Sequence, residues 1–281
     1  CEVNNGVLDT GNGFANPVND LGDGGISDQC NYVPDVYQID FYRMSLCTSN
    51  PDSSGSEPDF SSCVDMISET GDTTTALISG TNETELSVPD FTIPPGSYGY
   101  MVARLSAKLG IKHTFEASTK VNSSDSDTNL NGVGTDTPFG TTQNAGAEGI
   151  SNMQCSDNES DMNNAEFSYE VVNVNAESGC TGFGPDGDRM SGGEVENGIV
   201  TGRMMQNATT SATACTNTDS ILWTITLTNQ IIVTSSTRFV MNFKTTDAVS
   251  IDFDNSGDGA DNPYMIKVGA NPIEAYLTVT N

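Results

Sequence analysis

Hydrophobic and polar residues alternate along much of this chain, which is the pattern of β-strands that bury one face. The alternation is clearest in the C-terminal third, where the segments are ILWTITLTN, TRFVMNF, AVSIDFD, YMIKV and IEAYLTVT. Glycine, asparagine and aspartate separate these segments, as in turns between strands. The pattern predicts an all-β fold, an antiparallel β-sandwich of the immunoglobulin-like or transthyretin-like kind with long polar loops.

Two earlier segments add detail to this pattern. In VYQIDFYRMSL, residues 36–46, the apolar phase shifts between Phe41 and Tyr42, which predicts a β-bulge. Residues 97–117 alternate throughout and predict one long strand or a bent pair of strands. The apolar face of this element includes the chain's one histidine, His113.

Long polar stretches suggest how the chain is divided. Residues 1–34 are rich in Gly, Asn and Asp and predict a polar N-terminal arm. Residues 35–281 predict the β-sandwich, as one elaborated domain or as two with a boundary near 118–165. Residues 118–165 themselves are polar and predict an insertion between strands.

The charge of the chain restricts its partners. Thirty-eight acidic residues against ten basic ones give 281 residues a formal net charge of −28. Such a surface repels nucleic-acid phosphates, so we expect no nucleic-acid binding. It suits a surface exposed to saline water, where screening by salt reduces self-repulsion. No apolar run approaches the length of a membrane helix, so we expect no transmembrane segment.

Seven cysteines are scattered without any CxxC spacing, which favours disulfides in an oxidising compartment over a zinc or haem site. The expected bridges are Cys47–Cys63, at the ends of two strands, and then Cys1–Cys30. Cys1 has a second interpretation: because the printed chain begins at this residue, it resembles a mature bacterial lipoprotein with a lipid on Cys1. The expected location is the cell surface or the extracellular medium.

The segment IPPGSYGYMVARL places a PPGxY turn before a strand, and STRFVMNFKTTDAVSI supplies a paired-strand pattern. Both resemble the prealbumin-like and transthyretin-like β-sandwich domains of bacterial surface proteins, among them pilus subunits and surface lipoproteins. The resemblance implies extracellular structure or adhesion and no set of catalytic residues.

Catalytic chemistry finds little support in the sequence. A nucleophile–histidine pair would need His113, whose position on the apolar face is typical of a packed side chain, and no G-x-S-x-G motif occurs. We therefore expect a protein that is not an enzyme.

Calcium is the one cofactor that the sequence suggests. The segment DFDNSGDGADN offers closely spaced oxygen ligands with glycines between them. The candidate ligands are Asp252, Asp254, Ser256, Asp258, Asp261 and Asn262. An EF-hand register starting at Asp254 places Met265 where a bidentate Glu belongs, so a hydrophilic turn between strands is the alternative.

Glycans are a further candidate partner. The chain contains N-x-S/T sequons at Asn82, Asn122, Asn158 and Asn207. These sequons are compatible with surface glycosylation.

Three of the ten basic residues, Arg104, Lys108 and Lys112, share the polar face of residues 97–117. They are interpreted either as charges that protect an exposed strand from pairing or as a strip that docks on the acidic surface of another copy. A head-to-tail contact of the second kind builds a homopolymer.

Together these features predict a non-enzymatic structural subunit of an extracellular filament, a pilus or a similar repetitive surface assembly. It would polymerise by strand addition and by charge-complementary contacts between subunits. The alternatives are a virion fibre or decoration protein and a monomeric surface lipoprotein that binds calcium or glycans.

Overall fold

The structure is a computed structural model of the whole chain. It describes residues 2–4, 7–9, 27–53, 56–68, 74–79, 92–121, 137–143, 152–156, 158–171, 189–195, 198–213, 217–246, 248–254, 264–270 and 273–280.

Strands dominate the described residues, which confirms the all-β prediction. The one helix among the described residues is a 3-10 helix, Glu159–Asn164. In chain order the strands are β1 (Glu2–Asn4), β2 (Val7–Asp9), β3 (Ser27–Tyr32), β4 (Val36–Cys47), β5 (Cys63–Ile67), β6 (Thr74–Ile78), β7 (Gly96–Ser106), β8 (Lys108–Lys112), β9 (Thr114–Val121), β10 (Thr137–Gln143), β11 (Asn152–Ser156), β12 (Ser168–Val171), β13 (Arg189–Val195), β14 (Gly198–Met205), β15 (Ser220–Val233), β16 (Arg238–Lys244), β17 (Val249–Asp254), β18 (Tyr264–Ala270) and β19 (Glu274–Thr280).

The largest sheet has nine strands and is built around β4 and β7. Strands β7 and β8 run in succession along one side of β4, while β5 and β6 pair with its other side. Beyond β7 and β8 come β15 and β12, and then β14 and β13. All these pairings are antiparallel. Strands β5, β6, β12 and β13 each pair with one strand only and are therefore edge strands among the described elements.

Three smaller sheets complete the described fold. Strands β1, β2, β9, β10 and β11 form a five-stranded sheet in which β2 and β9 are parallel. Strands β3, β17 and β18 form a three-stranded sheet, and β16 pairs with β19. The predicted polar arm thus contributes β1, β2 and β3, and the predicted insertion contributes β10 and β11. The proposed domain boundaries stay a prediction.

One face of the large sheet forms the main core. Odd-numbered residues of β7, such as Met101 and Leu105, pack there with Phe243 of β16, Ile251 of β17 and Val268 of β18. The layer made by β16–β19 and β3–β17–β18 covers this face, which is the arrangement of a β-sandwich. Burying the apolar residues of several strands against one another is what holds the layers together.

The sequence pattern located several of these strands correctly. The pairing of β4 with β7 shifts register between Phe41 and Arg43, which confirms the bulge expected near Tyr42. Residues 97–117 are not one strand, because the chain leaves strand geometry at Ala107 and again at His113. Their last part, β9, enters the five-stranded sheet and pairs with β10. The alternation of apolar and polar residues cannot predict this change of sheet, because it continues without interruption through the bends at Ala107 and His113.

Candidate functional site

Four of the five arginines in the chain lie in one row across the large sheet. From β4 to β13, the residues directly opposite one another are Arg43, Arg104, Leu222, Arg203 and Arg189. Side chains at directly opposite positions share a face of the sheet, and like charges there are destabilising. The side chains of Arg43, Arg104 and Arg203 are described, and their guanidinium groups are stable side by side only if each has its own counter-charge.

Arg43 forms a bidentate ion pair with its counter-charge, the carboxylate of Asp65. Its Nε and Nη2 donate to the two carboxylate oxygens of Asp65 at 2.9 and 3.1 Å, and Ser45 Oγ donates to the same carboxylate at 2.6 Å. The guanidinium also lies over the ring of Phe60, 4.2 Å from its centroid. Burial raises the pKa of Asp65, but the bonds from Arg43 and Ser45 outweigh it and leave this pKa below its ordinary value.

Arg104 is buried, with 5% of its surface exposed, so the prediction that it faces solvent as part of a basic strip is wrong. Its Nη1 donates to Ser220 Oγ at 2.7 Å and lies 3.3 Å from the Asp219 carboxylate. The guanidinium stacks over the ring of Tyr42 at 4.4 Å. Burial, and after it the charge of Asp219, raises the pKa of the Tyr42 hydroxyl. The face that carries Arg104 is covered, which alternation of polar residues cannot reveal.

Arg203 is the most deeply buried member of the row, and both it and its partner Asp52 have side chains with no exposed surface. Its Nη2 lies 2.7 Å from Asp52 Oδ1. The guanidinium also donates to the backbone carbonyls of Ser56 and Ser53, at 2.8 and 3.3 Å, and to Ser211 Oγ at 3.0 Å. These bonds satisfy a charge that would be very costly to bury alone.

Three of the partners of Arg203, namely Asp52, Ser53 and Ser56, belong to the loop of residues 48–62, which the disulfide Cys47–Cys63 closes. This bridge confirms the first cysteine pairing that the sequence predicts. The loop lies over the face of the sheet opposite the main core, where its Phe60 packs in a second apolar cluster with Val102 and Leu222. Glu57 adds a contact by accepting bonds from Ser211 N and Oγ, at 2.9 and 2.8 Å.

Lys108 and Lys112 are the other two residues of the predicted docking strip, and both are half-buried. The ammonium of Lys108 lies 4.6 Å from the ring centroid of Tyr169, and that of Lys112 lies 4.7 Å from the ring centroid of Phe167. Neither has a carboxylate partner among the described residues, in contrast to the three arginines above. The docking role of the strip stays a prediction.

His113 lies at the bend between β8 and β9 and is buried. Its ring centroid is 5.3 Å from that of Tyr32, and neither imidazole nitrogen has a hydrogen-bond partner among the described residues. Burial lowers its pKa from 6.5 to about 4, and the charge of Asp35 opposes this shift only in part. The described surroundings of His113 include no nucleophile bonded to it, so the packed interpretation fits the contacts.

Most of the predicted calcium ligands lie outside the described residues. Asp252 and Asp254 belong to β17, whereas Ser256, Asp258, Asp261 and Asn262 are not described. Elsewhere in the described residues, no group of three or more His, Cys, Asp or Glu side chains is placed to hold a metal ion. Calcium binding stays a prediction.

Cys1 also lies outside the described residues, so its bridge to Cys30 and its lipid stay predictions. Of the four sequons, the structure describes those at Asn158 and Asn207, and both asparagines are exposed. Asn207 Oδ1 accepts bonds from the backbone N–H groups of Thr209 and Thr210, both at 3.0 Å, so its sequon forms a turn at the surface. No helix in the described part of the chain has the length and apolar character needed to cross a membrane.

Sequence reasoning missed Arg203 and Asp52, the fully buried ion pair of the arginine row. One local clue was present: Arg203 directly precedes Met204 and Met205 in a strand that otherwise carries few charges. An arginine in such a strand predicts a buried ion pair, because a guanidinium next to apolar neighbours needs a counter-charge. That counter-charge is Asp52, which lies about 150 residues away along the chain. No local pattern links it to Arg203.

Comparison with known proteins adds no relative to this description. No protein-family model, no curated protein and no solved structure matches the chain. The transthyretin-like resemblance of the PPGxY turn therefore stays a prediction.

Proposed function

We propose that the chain is a non-enzymatic structural subunit of an extracellular filament or a similar repetitive surface assembly. The observation that carries this proposal is that the large sheet ends, on both sides, in strands with one hydrogen-bonded neighbour each among the described elements: β13 on β14 and β12 on β8 at one side, and β5 and β6 on β4 at the other. An unpaired strand edge offers a row of backbone donors and acceptors to another chain. Strand addition at such an edge is a common way for extracellular subunits to join.

The described charges support the same proposal. The contacts of Arg203, and the stacking of Arg43 on Phe60, hold loop 48–62 against the sheet. The ion pairs of Arg43 and Arg104 join neighbouring parts of the sheet to each other, and the partners of all three arginines belong to the protein itself. A sheet braced by ion pairs and a disulfide suits a protein that must keep its shape outside the cell. The large acidic excess of the sequence keeps such a protein soluble until specific contacts join it to a neighbour.

Exposed apolar residues on the large sheet offer further contact surface. Leu77 of β6, Ile199 of β14 and Ile232 of β15 each have about half of their surface exposed, at 51%, 51% and 54%. Single exposed apolar side chains are common, so each alone has little weight. Leu77 and Ile199 lie toward opposite sides of the sheet, as contacts to two different neighbours would require.

Negative-stain electron microscopy of the native, undenatured protein from its source tests the proposal. We expect regular filaments or arrays, and a sample unfolded in denaturant before grid preparation should lose them. A parallel sample treated with a chelator shows whether calcium contributes to the assembly. Discrete particles of monomer size under all native conditions would overturn the proposal and favour a monomeric surface lipoprotein.

A further inference from the structure

Two lysines of the acidic chain lie beside a strand that is at the edge of the described sheet, and among the described residues neither has a carboxylate partner like those of Arg43, Arg104 and Arg203. Lys108 and Lys112 belong to β8, and the neighbouring β12 is an edge strand among the described elements. Both side chains lie over aromatic rings on the β12 side, Lys108 over Tyr169 and Lys112 over Phe167. The ammonium groups are therefore held toward the edge of the sheet.

The aromatic rings keep the lysines in this position. Phe167 and Tyr169 stack with their centroids 6.0 Å apart. Tyr169 lies across Gly110, where an added Cβ would be 2.9 Å from ring atom Cε1. Glycine at this position lets the ring lie flat between the two lysines. A cation over a ring keeps most of its hydrogen-bonding capacity, since the ring attracts it electrostatically and supplies no acceptor atom.

The spacing of the two lysines matches a partner in strand conformation. They are four residues apart on one face of β8, which in a strand is roughly 13 Å. In an extended partner chain, side chains four residues apart lie on one face and are likewise about 13 Å apart. A strand paired with the outer edge of β12 lies about 5 Å beyond it, within the reach of lysines that already extend over β12.

We propose that the edge formed by β12, Lys108 and Lys112 binds an extended acidic segment of a second copy of this chain. This inference rests on the proposed function, because it names the partner for one edge of the assembling sheet. Charge complementarity supports the choice of partner, since every copy carries thirty-eight acidic residues against ten basic ones. A strand also satisfies the backbone groups of the edge, which a polyanionic polysaccharide does not.

Lysines at an edge can also serve to prevent pairing, and the two roles predict different results. If the lysines guard the edge, replacing them with glutamate leaves the edge equally protected and self-association unchanged. If they bind carboxylates of a second copy, glutamate at these positions repels that copy. Charge reversal therefore separates the two roles.

The experiment is sedimentation velocity of the full chain over a range of concentrations, at low salt and at physiological salt. The test variant is Lys108→Glu/Lys112→Glu, and the matched control is Arg238→Glu/Lys244→Glu on exposed positions of β16. Two cations become two anions in each, so both change the formal net charge from −28 to −32. We expect self-association to weaken on the order of tenfold or more in the test variant and much less in the control.

Folding of each variant is checked by its circular dichroism and its unfolding curve. Lys108→Gln/Lys112→Gln replaces the test variant if the double reversal does not fold, and a smaller loss of association is then expected. Filaments with unchanged association in the test variant would overturn the inference and leave the proposed function standing. A chain that never associates would overturn both. A selective loss of binding to dextran sulfate, with association intact, would reassign the edge to a polyanion.

Discussion

The guanidinium of Arg203 and the carboxylate of Asp52 meet at 2.7 Å with both side chains fully buried. This pair joins strand β14 to the loop that the disulfide closes, across about 150 residues of chain. The loop covers the second face of the large sheet and is held there by this ion pair as well as by the disulfide. The contribution of the Arg203–Asp52 ion pair to stability can be measured by removing one of the two side chains.

Replacing Arg203 with Met is expected to lower the free energy of unfolding by about 3–5 kcal/mol, because Asp52 then remains buried without a counter-charge. Urea unfolding followed by tryptophan fluorescence or circular dichroism measures the change. The matched control is Arg238→Met, at an exposed position of β16, where less than about 0.5 kcal/mol is expected. Equal effects of the two substitutions would show that the buried pair contributes nothing specific.

Opening the disulfide should destabilise the same loop by a different route. The variant Cys47→Ser/Cys63→Ser is expected to lose about 3 kcal/mol, since the closed loop restricts the unfolded chain. Urea unfolding with and without dithiothreitol provides the measurement. Reduction should destabilise the native protein to a similar extent and the double variant much less. Full stability of the native protein after complete reduction would contradict this expectation.

Acid should destabilise the protein partly through His113. Its pKa is about 4 in the folded chain and 6.5 ordinarily, so the unfolded state binds more protons between these values. The stability that the neutral, buried side chain of His113 contributes is fully present above pH 6.5 and is lost as the pH falls toward 4. The loss amounts to about 3 kcal/mol, at 1.36 kcal/mol for each pKa unit.

The matched variant for this test is His113→Phe, which keeps a ring beside Tyr32 and removes the titration. We expect the difference in unfolding free energy between the native protein and the variant to change across pH 4–6.5 and to be constant above it. The carboxylates are the same in both proteins, so their contributions largely cancel in the difference. A difference that does not vary with pH would refute the role of His113.

Gly140 lies directly opposite Phe115 in the pairing of β10 with β9. A Cβ at Gly140 would be 2.0 Å from ring atom Cε1 of Phe115, so Gly140→Ala must displace this buried ring. The expected cost is about 1–3 kcal/mol. In Gly99→Ala the nearest atom is 3.7 Å away, an ordinary contact, and this control should cost less. Thermal unfolding of both variants tests the difference, and a Gly140→Ala protein as stable as the control would contradict it.

What the sequence predicted correctly in this fold is local. The bulge in β4 follows from a phase shift between Phe41 and Tyr42, and the Cys47–Cys63 bridge follows from two cysteines that end one strand and begin the next. Both features depend on residues that are close along the chain. Alternation of apolar and polar residues was likewise sufficient to predict an all-β fold.

What the sequence did not predict depends on strand register and on which faces are covered. Arg104 looked exposed because alternation assigns it to a polar face, but loop residues and neighbouring strands bury that face. The alignment of Arg43 with Arg104 and of Arg203 with Arg189 follows from the pairing of distant strands. The carboxylates that stabilise Arg43, Arg104 and Arg203 come from strand β5, from the residue before β15 and from loop 48–62, and no periodicity connects these segments.

The order of strands in the large sheet also constrains how the protein is made. Strand β7 pairs on one side with β4 and on the other with β15, which follows it by more than 110 residues. During synthesis, the disulfide loop emerges from the ribosome long before Arg203, which anchors it. The amino-terminal half therefore cannot reach its final packing until the last third of the chain has emerged. Such non-local pairing slows folding, and the strand edges of the unfinished sheet are exposed to aggregation in the meantime.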